Sequence, residues 1–194
     1  MAAETRETTV ELPADVYERL GGDDGAVAET LADLASDHAL LQESIDTYTG
    51  RDGDDGAPDL SQTAWTPPPI ARLIGFETES VEEGEVVMTL EPGPQHANPM
   101  GTMHGGVLCD LGDAAMGYAY ASTLGPDESF TTLELDVKFR RPVWDQPLTA
   151  TGRVVDGGRT VGLVECDVTG PEGELVARLE SVCLTLRGDQ ASGR

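Results

Sequence analysis

HANPMGTMHGGVLCDLGDAAMGYAYAS, His96 to Ser122, is the stretch on which the reading of the fold turns. From His104 to Ser122 the apolar positions Val107, Leu111, Ala115 and Tyr118 fall near helical spacing, with small residues between them. A helix of this length and composition is a core element. Two of its features go beyond packing. His104-Gly105-Gly106 stands where a Pro/Gly-rich loop becomes the helix, and glycines there let another molecule approach bare N–H groups at the positive end of the helix dipole. Asp113 is a carboxylate in an otherwise apolar helix, which is costly unless the group is paired or used. It lies eight residues beyond Gly105, roughly 12 Å along the axis, too far to serve the same carbonyl. If both features are catalytic, two antiparallel copies of the helix must bring one subunit's carboxylate to the other's glycines, giving two equivalent sites per twofold dimer.

Outward from this helix the pattern is that of strands. Before it, Leu73 to Val81 and Glu85 to Leu90 are joined by Glu82-Glu83-Gly84, a hairpin signal. After it, Leu133, Leu135, Val137 and Phe139 alternate with Glu134, Asp136, Lys138 and Arg140, which predicts one face in and one face out. Leu148 to Val155, Thr160 to Thr169 and Leu175 to Leu186 follow, separated by glycine-rich turns. Two strands, one helix and four strands make an α+β layout in which an antiparallel sheet covers a central helix.

Residues 1–60 differ. Asp15 to Leu20 and Val27 to Leu41 are helical in period, the run Gly21 to Gly25 breaks them, and Arg51 to Asp59 is a Gly/Asp/Pro linker. The expected division is an acidic helical extension with linker (1–60), one catalytic domain (61–188) and a disordered tail (189–194). The N-terminus has no signal-peptide pattern and no run reaches the roughly 18 apolar residues of a spanning helix, so the expectation is a cytoplasmic protein without a membrane partner.

The motif N-x-x-G-x-x-H-G-G-x-x-x-x-x-x-D, Asn98 to Asp113, with the helix and strand that follow, resembles the phenylacetate-degradation (PaaI) type of hotdog-fold acyl-CoA thioesterase over about Pro68 to Arg187. The resemblance implies the hotdog fold, hydrolysis of acyl-CoA to free acid and CoA, no cofactor, and homodimers that pair back to back into homotetramers. It implies that Asp113 is the nucleophile or general base and that Gly105 donates its N–H to the thioester carbonyl. Asn98 and His104 match polar residues of the same site, and Thr132 matches a hydroxyl facing the carboxylate.

The residues themselves leave alternatives. Asp113 could cap or pair on a helix, and Asp110, one turn away, reads as solvated. His104 at a helix start reads first as a group that orients the loop, Asn98 before Pro99 as a turn residue, and His96 as incidental. Gly106, Arg140, Arg141 and Arg159 are candidates for holding the phosphates of coenzyme A, against ordinary ion pairing with the many carboxylates.

Composition bounds the rest. Acidic residues number 36 against 12 basic, so a basic nucleic-acid surface has no support. The acids run from Glu4 to Asp189 through segments of clear periodicity, as in a folded halophilic protein rather than one with an acidic tail. Three cysteines without CxxC or Cys/His spacing argue against disulfides and zinc and read as small buried residues. A rival reading is an acyl-CoA-sensing transcriptional regulator, because TTVELPADVYERL (Thr8 to Leu20) faintly resembles a ribbon-helix-helix arm; its acidity opposes DNA contact. A hotdog hydratase would want a His and carboxylate poised on an enoyl chain.

Overall fold

The six strand runs pair into one antiparallel sheet, and the apolar helix lies against it. The strands are β1 (Phe76–Glu82), β2 (Glu85–Leu90), β3 (Glu128–Phe139), β4 (Leu148–Gly157), β5 (Val161–Thr169) and β6 (Leu175–Arg187), in the order β1-β2-β4-β5-β6-β3. The computed structural model describes residues 9–49 and 67–191, which divide into two compact units meeting at Gln42 and Glu43.

In the first unit α1 (Ala14–Arg19) is stopped by Gly21 and Gly22, both at positive φ, 121° and 69°. The rest of the breaker run starts the next helix rather than separating it: the Asp23 carboxylate accepts the Gly25 and Ala26 N–H groups, each at 3.0 Å, and α2 extends over Asp24–Thr49. Residues 9–13 lie in no strand of this chain. The linker expected at Arg51 to Asp59, the boundary at residues 60–61 and the last three residues of the tail lie outside the described residues.

The second unit carries the end of α2, then α3 (Pro69–Ile74), the sheet, and the central helix α4 (Gly105–Ala121). The first expected strand is corrected here, because Leu73 and Ile74 finish α3 and β1 begins only at Phe76. Proline in the first turn favours the helix, and Gly75, left-handed at φ 87°, ends it. The hairpin is as expected, with Gly84 at φ 78° in its two-residue turn.

Helix α4 presents Leu108, Leu111, Gly112, Ala115, Met116, Ala119 and Tyr120 to the sheet, all buried. Leu111 and Ala115 are buried as the spacing predicts, whereas Val107 and Tyr118 are half-buried at the margins. The approach is closest at β4. A Cβ on Gly152 would stand 2.5 Å from the Ala115 carbonyl oxygen, so only glycine lets strand and helix backbones meet. Tyr120 points into the sheet and its hydroxyl hydrogen-bonds Thr185 Oγ1 at 2.7 Å.

Strand β3 corrects the expectation of a buried face. Leu135, Val137 and Phe139 pair with Ser181, Leu179 and Ala177, whose side chains are buried on the inner face. The alternation is therefore correct in direction. Yet Leu135 is 39% and Phe139 55% exposed, because β3 is an edge strand that α4 covers only in part; Leu133, 54% exposed, sits at a register shift between Thr132 and Glu134. Cys166 and Cys183 are buried and Cys109 is half-buried, all as free thiols.

His96 is not incidental. It is buried, its Nδ1 accepts the Gly93 N–H at 2.9 Å, and this fixes the proton on Nε2, which donates to the Ile74 carbonyl at 2.7 Å. The ring thus ties the end of α3 to the loop that leads into the site, and its own carbonyl accepts the His104 N–H. His96→Ala is expected to cost about 1 to 3 kcal/mol, since it strands one half-buried donor and one half-buried acceptor. The denaturant midpoint measures the loss; an unchanged midpoint would show that the strut carries no load.

Candidate active site

The candidate residues fall into two groups on the chain. In the first, Asp113 projects from the middle of α4 and accepts a hydrogen bond from Thr132 Oγ1, on the inner face of β3, at 3.4 Å. Burial pushes the Asp113 carboxyl above the ordinary carboxylate range. The Thr132 hydroxyl pulls in the opposite direction, and the nearby Asp110 charge adds to the rise. Asp110 is exposed, as expected.

This pair opens into a cavity of about 350 Å³. Along the helix the cavity is lined by Ala114, Gly117, Tyr118 and Ala121, which with Asp110 and Asp113 form an i, i+3, i+4, i+7 stripe beside the sheet-facing one. Phe130 of β3, Ile70 and Pro68 near α3, and Tyr48 near the end of α2 complete it. Tyr48 and Tyr118 are joined through their hydroxyls at 3.3 Å, and Ser44 Oγ donates to the Pro67 carbonyl at 2.6 Å, fastening this end of α2 to the segment before α3. Burial, then the Tyr48 hydrogen bond, hold the Tyr118 phenol far above its usual range.

The sequence reading missed this wall. Met116 and Tyr120 of the same helix are buried against the sheet instead, and of the stretch from Thr123 to Phe130 only Phe130 reaches the cavity. The signal that would have found the lining is simple: positions three and four apart counted onward from Asp113.

The second group surrounds the start of α4. His104 is the N-cap and its Nδ1 accepts the Gly106 N–H at 2.9 Å, so the Gly106 amide is occupied and the histidine orients the turn. The Gly105 N–H has no hydrogen-bond partner among the described residues. Gly105 also lies against the Phe139 ring, where a Cβ would stand 3.0 Å from the ring edge. Asn98 folds its own loop: its Oδ1 accepts the Met100 N–H at 2.8 Å and its Nδ2 donates to Thr102 Oγ1 at 2.8 Å.

Gly105, Phe139, Arg140 and Arg141 share a second depression of about 340 Å³. Arg141 donates to the Leu175 carbonyl at 2.5 Å, yet among the described residues neither arginine is ion-paired. Lys138, Arg153, Arg178 and Arg187 all are. Arg19, Arg72 and Arg159 also lack an ion pair among the described residues, but Arg140 and Arg141 are the two that lie side by side at a depression. Arg159 is exposed in the turn after β4 and lines neither cavity.

The chain therefore brings Asp113 to Thr132, and Gly105 to Arg140 and Arg141, in separate depressions. Among the described residues no group of three or more His, Cys, Asp or Glu could hold a metal ion, and no helix is long and apolar enough to cross a membrane.

Comparison with known proteins bears on this arrangement. Residues 100–177 match the Thioesterase superfamily. The chain is 30% identical over 100 residues to a 1,4-dihydroxy-2-naphthoyl-CoA hydrolase of Listeria monocytogenes, covering 52% of this chain and 81% of that one. It is 31% identical to the acyl-coenzyme A thioesterase PaaI of Escherichia coli, covering 55% and 75%. The solved structure of Escherichia coli PaaI superposes with a TM-score of 0.60 at 26% identity, covering 66% and 97%. A hypothetical thioesterase protein of Streptococcus pneumoniae, solved with coenzyme A, superposes with a TM-score of 0.54 at 27% identity, covering 58% and 86%.

Proposed function

Because the chain belongs to the thioesterase superfamily and is a hotdog-fold thioester hydrolase, we propose that it converts an acyl-CoA to free acid and CoA at sites shared by two subunits. The observation that carries the reading is a desolvated Asp113 and an unpartnered Gly105 N–H, at two points of one helix that a single chain cannot join.

In this reading two protomers pack antiparallel through α4 and the partly uncovered inner face of β3, where Leu135 and Phe139 are exposed. The Gly105 N–H receives the thioester carbonyl and stabilises the oxyanion, a contribution on the order of 3 kcal/mol for one such donor. Asp113 of the opposite protomer takes a proton from water as the oxygen adds to the carbonyl carbon, or attacks that carbon itself to form an acyl anhydride that water then opens. The tetrahedral adduct collapses, the C–S bond breaks, and the CoA thiolate leaves without a strong acid to protonate it. Single turnover in labelled water tests the anhydride route, since opening by attack at the Asp113 carbonyl carbon leaves the label in Asp113 and the released acid free of it, whereas direct attack of water on the thioester labels the acid. His104 and Asn98 shape the turn that presents Gly105, and Thr132 orients the carboxylate.

Arg140 and Arg141, beside Gly105, suit the phosphates of coenzyme A, as their freedom from carboxylates supports; Arg159 would reach CoA only from another subunit. The double change Arg140→Ala/Arg141→Ala is expected to raise KM for acyl-CoA about tenfold, roughly 1.4 kcal/mol, with kcat little altered. A pantetheine thioester, which lacks the nucleotide phosphates, should show no such rise; an equal rise for both would remove the phosphate assignment.

The test of the function is release of thiol from short, medium, long and aryl acyl-CoAs by the purified protein. Absence of cleavage across that series sinks the reading, and a monomer in solution sinks the shared site.

A further inference from the structure

The Thioesterase superfamily match covers residues 100–177, well beyond the end of α2, yet that helix reaches the Asp113 cavity. Its last turns, from Glu43 onward, belong to the same compact unit as the sheet. Ser44 is buried and bound to the Pro67 carbonyl, which fixes the helix end against the chain that enters α3. One turn on, Tyr48 enters the cavity wall and meets Tyr118 at 3.3 Å. Tyr118 lies five residues beyond Asp113, hence roughly 7.5 Å along the helix axis from the carboxylate.

The cavity itself continues past that point. Ala121 lines it three residues further on, and Ala114, Gly117 and Ala121 leave the helix side of the slot nearly flat. Gly117 faces the Phe130 ring, where a Cβ would stand 3.2 Å away. The slot is thus lined by small residues along the helix and by the rings of Phe130, Tyr48 and Tyr118 elsewhere. An acyl group whose carbonyl lies at Asp113 runs along the slot until it meets Tyr48.

We propose that Tyr48, supplied by the N-terminal extension, is the specificity-determining residue that limits the length of the acyl group, so that short or compact acyl chains fit and long ones do not. This rests on the reading of Asp113 as the reacting carboxylate. Tyr118 alone cannot serve as the stop, because as a helix residue beside flat neighbours it forms the side of the slot; Tyr48 comes from across it. The hydroxyl pair holds the second ring in place without a charge, which suits an apolar acyl end.

The experiment compares the full-length wild type with Tyr48→Ala, Tyr48→Leu and Tyr48→Phe. Hydrolysis of acetyl-, hexanoyl-, decanoyl- and palmitoyl-CoA is measured beside calorimetric binding of the corresponding free fatty acids. Loss of the ring is expected to raise kcat/KM for decanoyl relative to hexanoyl about tenfold, the scale at which pocket contacts discriminate chain length. Tyr48→Phe keeps the ring but loses the hydroxyl bond to Tyr118, so its profile should shift less than that of Tyr48→Ala. Tyr48→Leu, which preserves apolar bulk at the helix end, guards against a misfolded alanine variant and should shift the profile in the same direction by less. If wild type cleaves no thioester but the fatty-acid preference lengthens in Tyr48→Ala, the hydrolase reading fails and the length limit stands. If wild type cleaves thioesters and both profiles are unchanged in folded Tyr48→Ala, or if no fatty acid binds any form, the length limit is overturned.

Discussion

Asp113→Asn is expected to lower kcat/KM for acyl-CoA by about 10² to 10⁴, the range that a positioned acid or base contributes, with assembly unaltered. Asparagine preserves the volume and the contact with Thr132 but neither accepts a proton nor attacks a carbonyl. The same carboxylate sets a pH profile. Burial raises the Asp113 pKa above its ordinary value of 3.8, so the ionised, active form appears only at higher pH than a solvated aspartate would need, and kcat/KM should fall on the acidic side through that raised value. The linkage to stability has the opposite sign from a salt-bridged aspartate. A group with a raised folded-state pKa binds its proton more tightly in the native chain, so its charge costs stability above that pKa, and the cost vanishes below the unfolded value. Asp113→Asn should therefore melt no lower than wild type at neutral pH. Retained turnover, or lost activity accompanied by a lower melting temperature, would remove Asp113 from the chemistry.

Gly152→Ala is expected to cost about 3 kcal/mol or more, above the typical range for overpacking. The added methyl would stand 2.5 Å from the Ala115 carbonyl oxygen and 2.8 Å from the Met116 nitrogen, and these are backbone atoms that no rotamer change can move. Gly112→Ala makes the contrast. Its Cβ would meet the Leu179 side chain at 2.6 Å, whose flexible end can turn away, so a smaller loss is expected. Denaturant unfolding of both variants reads the difference. Equal and small losses would mean that α4 and β4 do not seat as closely as Gly152 allows. Because Asp113 rides on the same helix two residues before Ala115, a displaced α4 should also lower activity, which makes the central helix a single determinant of fold and site.

The hotdog order was legible because hydrophobic period changes sharply along this chain: two-residue alternation gives way to helical spacing at His104 and returns after Ser122. Most strand ends were placed within about three residues for the same reason. The error at Leu73 arose where a short apolar run fits either period, and Pro69 with Gly75 decided for the helix. Asp113 and Gly105 stood out in the sequence because each departs from what packing alone would choose, whereas Thr132 was named only through the family resemblance. Tyr48 was not, since an aromatic residue in an amphipathic helix looks like any other core candidate.

Local chemistry in the sequence alone determined the α+β class, the central helix, its glycine start and the odd carboxylate within it, because these follow from spacing along one element. Tertiary structure decided what touches what: that β3 lies at an edge with its apolar face partly uncovered, that His96 braces the loop before the site, that Arg140 and Arg141 are left without carboxylates, and that the end of α2 reaches the Asp113 slot. Those contacts join residues tens of positions apart. Their partners are chosen by how surfaces pack, and periodicity carries no record of that choice.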